Sequence, residues 1–222
     1  MNIDNFDWGN NNEWYKRQMN IEFFREENIY EKVFKVEEND VVMDVGASIG
    51  PWSYLLKDRK VKHLYCIEPA KGQIEVLKRN IKGIPNTIIQ NVIGEENVLI
   101  ADTFGTEDNM EIVKSKTFME VVDEYSIEKI DFLKTDCEGG EYNIFNIENI
   151  CWLKENLKKC AGEWHLNSKE TKKKFREFRE VFLRVFPNHE VYSVDGVNIK
   201  WDLWNEHFLE YYNEVLVYID NR

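Results

Sequence analysis

Short apolar runs alternate with helix-like patterns along most of the chain. In the runs the apolar residues are consecutive or alternate, as in strands, whereas between the runs they recur every three or four positions, as in helices. Strands are predicted at 41–45, 63–69, 87–90, 130–135, 160–166, 191–194 and 215–219. Helices are predicted at 51–58, at 71–82, at 118–125 and, as a long helix, after Ser168. This alternation predicts an α/β fold with a mainly parallel sheet and helices on both faces.

Two regions depart from this alternation. Apolar residues recur at helix-like intervals near the start of the chain, so we expect residues 1–34 to form an N-terminal helical cap and residues 35–222 to form the main domain. Extra short strands are expected at 98–101 and 111–113, around a polar loop at 103–109. An insertion rich in aromatic residues, at 195–212, precedes the last strand; we call it the aromatic insertion.

The turn after the first strand has the composition of a ligand site. Residues 44–50 read Asp-Val-Gly-Ala-Ser-Ile-Gly and lead from a buried strand into a helix. Gly46 allows a sharp bend, Gly50 allows close helix packing, and the helix N-terminus offers free N–H groups to an anion. A dinucleotide site needs glycine where this chain has Ser48, so bulky phosphates are disfavoured.

An acidic residue follows the second strand. Glu68 lies 24 positions after Asp44, and a carboxylate at this place suits the binding of ribose hydroxyls. The glycine turn, the helix N-terminus and this acid together predict a ligand in which an amino acid is joined to a nucleoside.

Three motifs resemble those of one enzyme family. Residues 44–50 resemble the first motif of class I S-adenosylmethionine-dependent methyltransferases, and residues 67–69 resemble their second-strand acid. Residues 130–141, Ile-Asp-Phe-Leu-Lys-Thr-Asp-Cys-Glu-Gly-Gly-Glu, are similar to the signature IDxLKxDxEGxE of the FkbM methyltransferase family. The resemblance extends over about residues 33–166. It implies a doubly wound, Rossmann-like sheet of seven mainly parallel strands with an antiparallel last strand, and S-adenosylmethionine as the cofactor.

The resemblance also implies a set of donor-binding residues, in the first turn and after the second, third and fourth strands. These are Asp44, Gly46, Ala47, Ser48, Gly50, Glu68, Pro69, Asn91 and Asp136. Asn91 occupies the position where the family holds adenine, and an asparagine that only forms a turn stays an alternative.

Strand direction separates the histidines. His63 and His189 precede their strands and so lie at the far end of the sheet, whereas His165 ends its strand on the side where α/β sheets bind ligands. His165 is therefore the candidate general base, because imidazole titrates near neutral pH. A purely structural role for His165 stays open, and Asp136 and Glu163 are alternatives as the base or as groups that orient the acceptor. The fourth histidine, in the aromatic insertion, could face either end.

Acidic and aromatic residues are candidates for acceptor binding. We assign Glu138, Trp164 and Trp14 to this role, since carboxylates bind hydroxyls and aromatic faces stack on sugar rings; packing alone is the alternative for Trp14. Glu138 and the three candidate catalytic groups also have the composition of a divalent-metal site. Because no ligand motif with metal-like spacing appears, we expect no metal, and leave the metal alternative open.

Composition restricts the classes of acceptor and the cellular location that we expect. The formal net charge of −12 gives no basic field for duplex nucleic acid, so a small-molecule or glycan acceptor is expected. A homo-oligomer stays open. The N-terminus lacks an apolar signal run and no stretch of 18 apolar residues occurs, so we expect no membrane span and a cytoplasmic location. The four cysteines lack Cys-x-x-Cys and zinc spacings and are expected to be reduced thiols.

These observations predict an S-adenosylmethionine-dependent O-methyltransferase that acts on a hydroxyl of a sugar, nucleotide sugar or small glycan. The sugar depends on family tendency, the acidic surface and the aromatic insertion. The alternatives are methyl transfer to another small molecule, to nitrogen or to an RNA end, and a non-catalytic S-adenosylmethionine-binding module.

Overall fold

The computed structural model describes residues 5–10, 13–20, 28–94, 96, 98–101, 110–205 and 207–222. The fold is α/β, with a seven-stranded, mostly parallel sheet and an antiparallel last strand, which confirms the predicted fold class. The chain divides into two compact units, Met1–Lys116 and Thr117–Arg222. The expected boundary after residue 34 stays a prediction. Within the described part of the chain, no helix is long and apolar enough to cross a membrane.

The first unit contains a parallel sheet that begins with the predicted buried strand. Its strands are β1 Val41–Val45, β2 His63–Ile67, β3 Asn86–Ile89, β4 Val92–Ile93, β5 Val98–Ala101, β6 Met110–Val113 and β7 Ser115–Lys116. Its α-helices are α1 Glu13–Met19, α2 Pro51–Tyr54 and α3 Lys71–Asn80, and its 3-10 helices are Ile29–Glu31 and Leu55–Asp58. Strands β1, β2 and β3 pair in parallel in that order, β5 pairs with β6 in antiparallel, and β4 pairs with β7 in parallel.

Sequence and packing explain these elements. Every residue of β1 is buried, as expected for a parallel strand covered on both faces. Helix α2 starts with Pro51, whose missing N–H costs nothing in the first turn. Helix α3 buries Ile74 and Leu77 and ends at Asn80, shortly before Gly83.

The second unit carries the remaining four sheet strands. These are β8 Ile130–Thr135, β9 Leu157–His165, β10 His189–Tyr192 and β11 Glu214–Asp220. Its α-helices are α4 Phe118–Glu124, α5 Glu141–Ile144, α6 Ile150–Asn156, α7 Lys169–Val185 and α8 Phe208–Tyr211, and a 3-10 helix covers Lys200–Asp202. Strand β8 pairs in parallel with β9, while β11 is antiparallel to both β9 and β10.

Helix α7 supplies much of the core of the second unit. Ser168 caps it through a capping box with Thr171, as the sequence predicted for Ser168. Its apolar stripe is buried and consists of Phe175, Phe178 and Phe182, continued by Phe186 directly after the end of the helix. The ring of Trp164 stacks on Phe178 with centroids 5.0 Å apart.

Some element boundaries differ from the predictions. Strand β9 starts at Leu157 rather than at residue 160, because Leu157 pairs with Ile130 of β8. Strand β10 runs from His189 to Tyr192 and ends before residue 194, because Ser193 begins a turn in which its N–H donates to the carbonyl of Val197. The loop predicted at 103–109 lies outside the described residues.

Candidate functional site

The turn after β1 is fixed by hydrogen bonds to the end of β2. The N–H groups of Gly46 and Ala47 both donate to the carbonyl of Ile67, at 3.0 and 3.1 Å. Gly46 has φ 76° and Ser48 has φ 51°, so the backbone bends through left-handed conformations between strand and helix. The turn therefore holds a defined shape beside the end of β2.

Glu68 joins this turn to the segment that follows β2. Its Oε2 accepts from the N–H of Ser48 and its Oε1 accepts from the N–H of Ala70, both at 2.8 Å. A carboxylate oxygen can accept more than one hydrogen bond, so these two bonds do not by themselves exclude ribose hydroxyls. Glu68 therefore organises the turn.

Two residues beneath the turn shape it. Asp44 is fully buried, and its Oδ2 accepts from the hydroxyl of Ser53 in α2 at 2.6 Å. Gly50 has φ 81°, and a Cβ there would lie 2.6 Å from Cδ1 of Leu77 in α3. Glycine at position 50 thus permits both the backbone conformation and the close approach of α3, as the sequence predicted.

The N-terminal segment packs on the same turn. The Tyr15 hydroxyl lies 2.6 Å from Ser48 Oγ, and the Tyr15 ring is buried in a cluster with Phe6 and Ile49. Trp14 beside it is 65% exposed, so it is open to a ligand rather than packed in this cluster. The acceptor role predicted for Trp14 stays a prediction.

Asn91 and Pro69 lie on the connections after β3 and β2. Asn91 is 4% exposed, and its Oδ1 has no hydrogen-bond partner among the residues the structure describes. A buried carbonyl oxygen of this kind normally accepts a hydrogen bond, and the adenine amino group is a suitable donor. Pro69 is half-buried, and its carbonyl accepts from the Gln90 side chain at 3.3 Å.

In the second unit, four carboxylates surround one imidazole. We call Asp136, Glu138, Glu141, Glu163 and His165 the acidic cluster. His165 Nδ1 lies 3.1 Å from Glu141 Oε1, while its Nε2 lies 3.5 Å from Glu138 Oε2 and 3.7 Å from Glu163 Oε1. Asp136, Glu163 and His165 each present a ligand atom within 4.8 Å of the other two. The structure therefore brings together the three residues predicted to be catalytic.

The carboxylates change the ionisation of the imidazole. Burial opposes the charged form of His165, but the hydrogen bond that its Nδ1–H donates to Glu141 and the charges of Glu141, Glu138 and Asp136 outweigh it and raise the pKa of His165 to about 9. In this arrangement the ring carries a proton at neutral pH. Burial, which outweighs the opposing charge of His165, raises the pKa of Glu138.

The turn after β8 positions the cluster. Glu138 has φ 55° and Gly139 has φ 97°, and this left-handed pair reverses the chain into α5. The N–H of Cys137 then donates to Glu141 Oε1 at 2.9 Å. Lys134 is a buried residue of β8, and its Nζ lies 3.9 Å from Asp136 Oδ2. The lysine is therefore ion-paired within the buried strand.

One predicted acceptor residue has a different environment. Trp164 is fully buried, and its ring contacts Phe145 and Phe178 rather than an open surface. On β9, Trp164 alternates with Glu163 and His165, so it points to the opposite face of the strand. The structure therefore supports a packing role for Trp164 rather than the predicted acceptor role.

The sequence analysis missed one partner of the histidine. Glu141 begins α5, and its side chain also holds His165. The signal lay in Gly139, because glycine readily adopts the left-handed conformation, here φ 97°, that lets the chain turn back on itself. Tyr142 adds a hydrogen bond from its hydroxyl to the carbonyl of His165 at 2.9 Å.

The other histidines lie outside the cluster. His63 and His189 are the first residues of β2 and β10, at the ends opposite to the predicted ligand side. His207 is exposed and pairs with Glu210 at 3.1 Å. Burial, the main cause, lowers the pKa of both His63 and His189.

The fold, with its turn after β1 and its acid after β2, defines a class I S-adenosylmethionine-dependent methyltransferase. The family model for the methyltransferase FkbM domain matches residues 44–192, more than half of the chain. The chain therefore belongs to the FkbM methyltransferase family, whose cofactor is S-adenosylmethionine.

Solved structures show the same fold at low sequence identity. An rRNA methylase from Streptococcus thermophilus is 13% identical, with a TM-score of 0.50 over 83% of this chain and 88% of that one. Fibrillarin in its complex with Nop5p is 12% identical, with a TM-score of 0.50 over 86% of this chain and 76% of that one. A search of curated proteins gives no match. At these identities the likeness concerns the fold alone.

Proposed function

We propose that the protein is an S-adenosylmethionine-dependent O-methyltransferase that methylates a hydroxyl of a sugar, nucleotide sugar or small glycan. The observation that carries this proposal is the acidic cluster, in which Asp136, Glu163 and His165 present polar atoms within 4.8 Å of one another. Such a group can orient several hydroxyls of one acceptor and receive the proton of one of them.

The residues of the first unit suit the donor. S-adenosylmethionine supplies a methyl group that is activated by attachment to a positively charged sulfur. We assign its ribose to Glu68, its adenine to Asn91 and its amino-acid end to the turn from Gly46 to Gly50. Support comes from the fixed geometry of this turn and from the unsatisfied Oδ1 of Asn91.

Methyl transfer to a hydroxyl needs a place for the proton. As the acceptor oxygen forms its bond to the methyl carbon, the carbon–sulfur bond breaks and its electron pair stays on sulfur, which leaves S-adenosylhomocysteine. The hydroxyl proton passes to a group of the acidic cluster. Asp136 and Glu163 are the candidates at neutral pH, where His165 is already protonated, and His165 becomes a candidate as the pH approaches its pKa of about 9. A positioned base of this kind contributes about 10² to 10⁴ in rate.

The net charge and the thiol state of the cysteines support the acceptor class and the location that we propose. The net charge of −12 disfavours a polyanionic acceptor. Hydroxyls suit the carboxylates of the cluster, and an exposed aromatic ring such as that of Trp14 can stack on a sugar. None of the four cysteines, all of which the structure describes, forms a disulfide, which agrees with a cytoplasmic protein.

The proposal is tested by incubating the full chain with S-adenosylmethionine and a panel of nucleotide sugars, free sugars and short glycans. We expect S-adenosylhomocysteine to form with at least one hydroxylated acceptor and not without an acceptor. A matched panel of amines and short RNAs tests the alternatives. Turnover on amines or RNA alone would contradict the proposal, and donor binding without turnover on any acceptor would favour a non-catalytic binding module.

A further inference from the structure

We infer that the acidic cluster binds a hard divalent cation, Mg²⁺ or Mn²⁺, through Asp136, Glu163 and His165. This is the alternative that the sequence left open against its expectation of no metal. The binding of the ion is inferred from the geometry of the second unit alone. The role of the ion in methyl transfer rests on the proposed function.

The distances in the cluster suit a shared ion. Ligands about 2.1 Å from one Mg²⁺ or Mn²⁺ ion lie about 3 to 4 Å from one another, depending on whether they are adjacent or opposite. His165 Nε2 and Glu163 Oε1 are 3.7 Å apart, and the three ligand atoms all lie within 4.8 Å of one another. The observed separations are therefore similar to, or somewhat wider than, those of ligands that share one ion.

The imidazole is held as metal-binding histidines are held. A ligating histidine almost always donates its second ring N–H to a carboxylate or carbonyl, which fixes the tautomer and aims the other nitrogen at the metal. His165 Nδ1 has this partner in Glu141 Oε1, and Glu141 is fully buried. His165 is itself only 4% exposed, so the ring has little freedom to turn away.

The second ring nitrogen points to the cluster without a good hydrogen bond. His165 Nε2 lies 3.5 Å from Glu138 Oε2 and 3.7 Å from Glu163 Oε1, whereas an N–H···O bond measures about 2.7 to 3.2 Å. Glu141 Oε2 is also buried, with no hydrogen-bond partner among the described residues. Buried polar atoms are normally satisfied, so Glu141 Oε2 indicates a missing partner at the cluster.

Charge supports a cation at the same point. The cluster contains four carboxylates, and Lys134 Nζ lies 3.9 Å from Asp136 Oδ2. With a neutral imidazole, the four carboxylates and Lys134 together carry a net charge of minus three. A divalent ion reduces that repulsion and replaces the proton on Nε2.

The donor set favours a particular kind of ion. Carboxylate and water oxygens suit Mg²⁺ and Mn²⁺, and a single imidazole among oxygens is compatible with both ions. Three protein ligands leave three positions of an octahedral shell, which two neighbouring hydroxyls of a sugar and one water could fill. An ion in contact with the reacting hydroxyl would lower its pKa and place its oxygen for methyl transfer.

The test is a titration of the full chain with MnCl₂, followed by calorimetry and by electron paramagnetic resonance of free Mn²⁺. We expect one Mn²⁺ per chain, with Asp136→Asn and Glu163→Gln each weakening the affinity more than about 10-fold. Glu141→Gln should weaken it by about 10- to 100-fold, as for other partners of metal-binding histidines. His207→Gln is the matched control, because it removes a histidine paired with a glutamate outside the cluster and should leave the affinity unchanged.

A wild-type measurement keeps the inference testable if a variant does not fold. Pulsed resonance of the Mn²⁺ complex should show coupling to one imidazole nitrogen. Absence of binding to wild type, equal binding by wild type and folded cluster variants, or a bound Mn²⁺ without nitrogen coupling would each overturn the inference. These titrations contain neither donor nor acceptor, so a failure of the proposed function would leave their result unchanged.

Discussion

Glu68 provides the sharpest test of the donor site. Its two carboxylate oxygens accept from the N–H groups of Ser48 and Ala70 at 2.8 Å, and they are also the proposed acceptors for the ribose hydroxyls. The substitution Glu68→Ala removes both functions. It should therefore weaken donor binding and destabilise the first unit at the same time.

The two effects have separate magnitudes. A hydrogen bond to a charged group contributes about 1.5 to 3 kcal/mol, so donor affinity should fall about 10- to 150-fold. Loss of the acceptor for two backbone N–H groups should lower the free energy of unfolding by about 2 to 4 kcal/mol, since water replaces part of each bond. Glu68→Gln keeps one acceptor oxygen and should give intermediate values for both quantities.

Calorimetry with S-adenosylhomocysteine measures the affinity, and urea unfolding measures the stability. Glu75→Gln is the matched control, because Glu75 lies exposed on α3 and pairs with Lys78 at 2.7 Å in a solvated ion pair. Affinity within twofold of wild type in a folded Glu68→Ala variant would remove Glu68 from the donor site and refute the ribose assignment.

Three further predictions concern the second unit. His165→Gln should keep donor affinity while single-turnover methyl transfer near pH 9, where about half of the wild-type imidazole is neutral and can act as a base, falls about 10²- to 10⁴-fold. A rate within a few-fold of wild type would leave His165 a structural role. Gly162→Ala should lower the free energy of unfolding by about 1 to 3 kcal/mol or more in urea, because its Cβ would contact Thr135 Oγ1 and lie 2.9 Å from the Thr135 carbonyl; an unchanged midpoint would contradict this packing. Burial lowers the pKa of His189 below its ordinary 6.5, so the unfolded chain binds the extra proton and stability falls as pH drops below 6.5. His189→Gln should reduce that fall, and identical pH profiles of unfolding would show that His189 does not cause it.

The fold could be predicted because its signals are local. The buried run at 41–45 and the helical stripe of α7 follow directly from hydrophobic periodicity, and Ser168 follows from helix capping. The start of β9 could not be found in this way. Leu157 joins the strand through its pairing with Ile130, a residue far away in the sequence.

The candidate site was predictable to the extent that strand ends predict proximity. Asp136 follows β8 and His165 ends β9, and parallel pairing of these strands brings both residues to the same end. The partner Glu141 escaped prediction because it depends on the left-handed pair at positions 138 and 139. Trp164 was assigned to acceptor binding because of its residue type alone. Its side chain lies on the buried face of β9, which favours packing instead.

The most direct test of the central claim is to follow the methyl group itself. The wild-type chain is incubated with S-adenosylmethionine that carries a trideuterated methyl group and with the panel of nucleotide sugars and glycans, and the products are analysed by tandem mass spectrometry. The account predicts a labelled acceptor whose fragments place the methyl group on a hydroxyl oxygen. A label found on nitrogen, or a chain that binds the donor yet labels none of the hydroxylated acceptors, would contradict it.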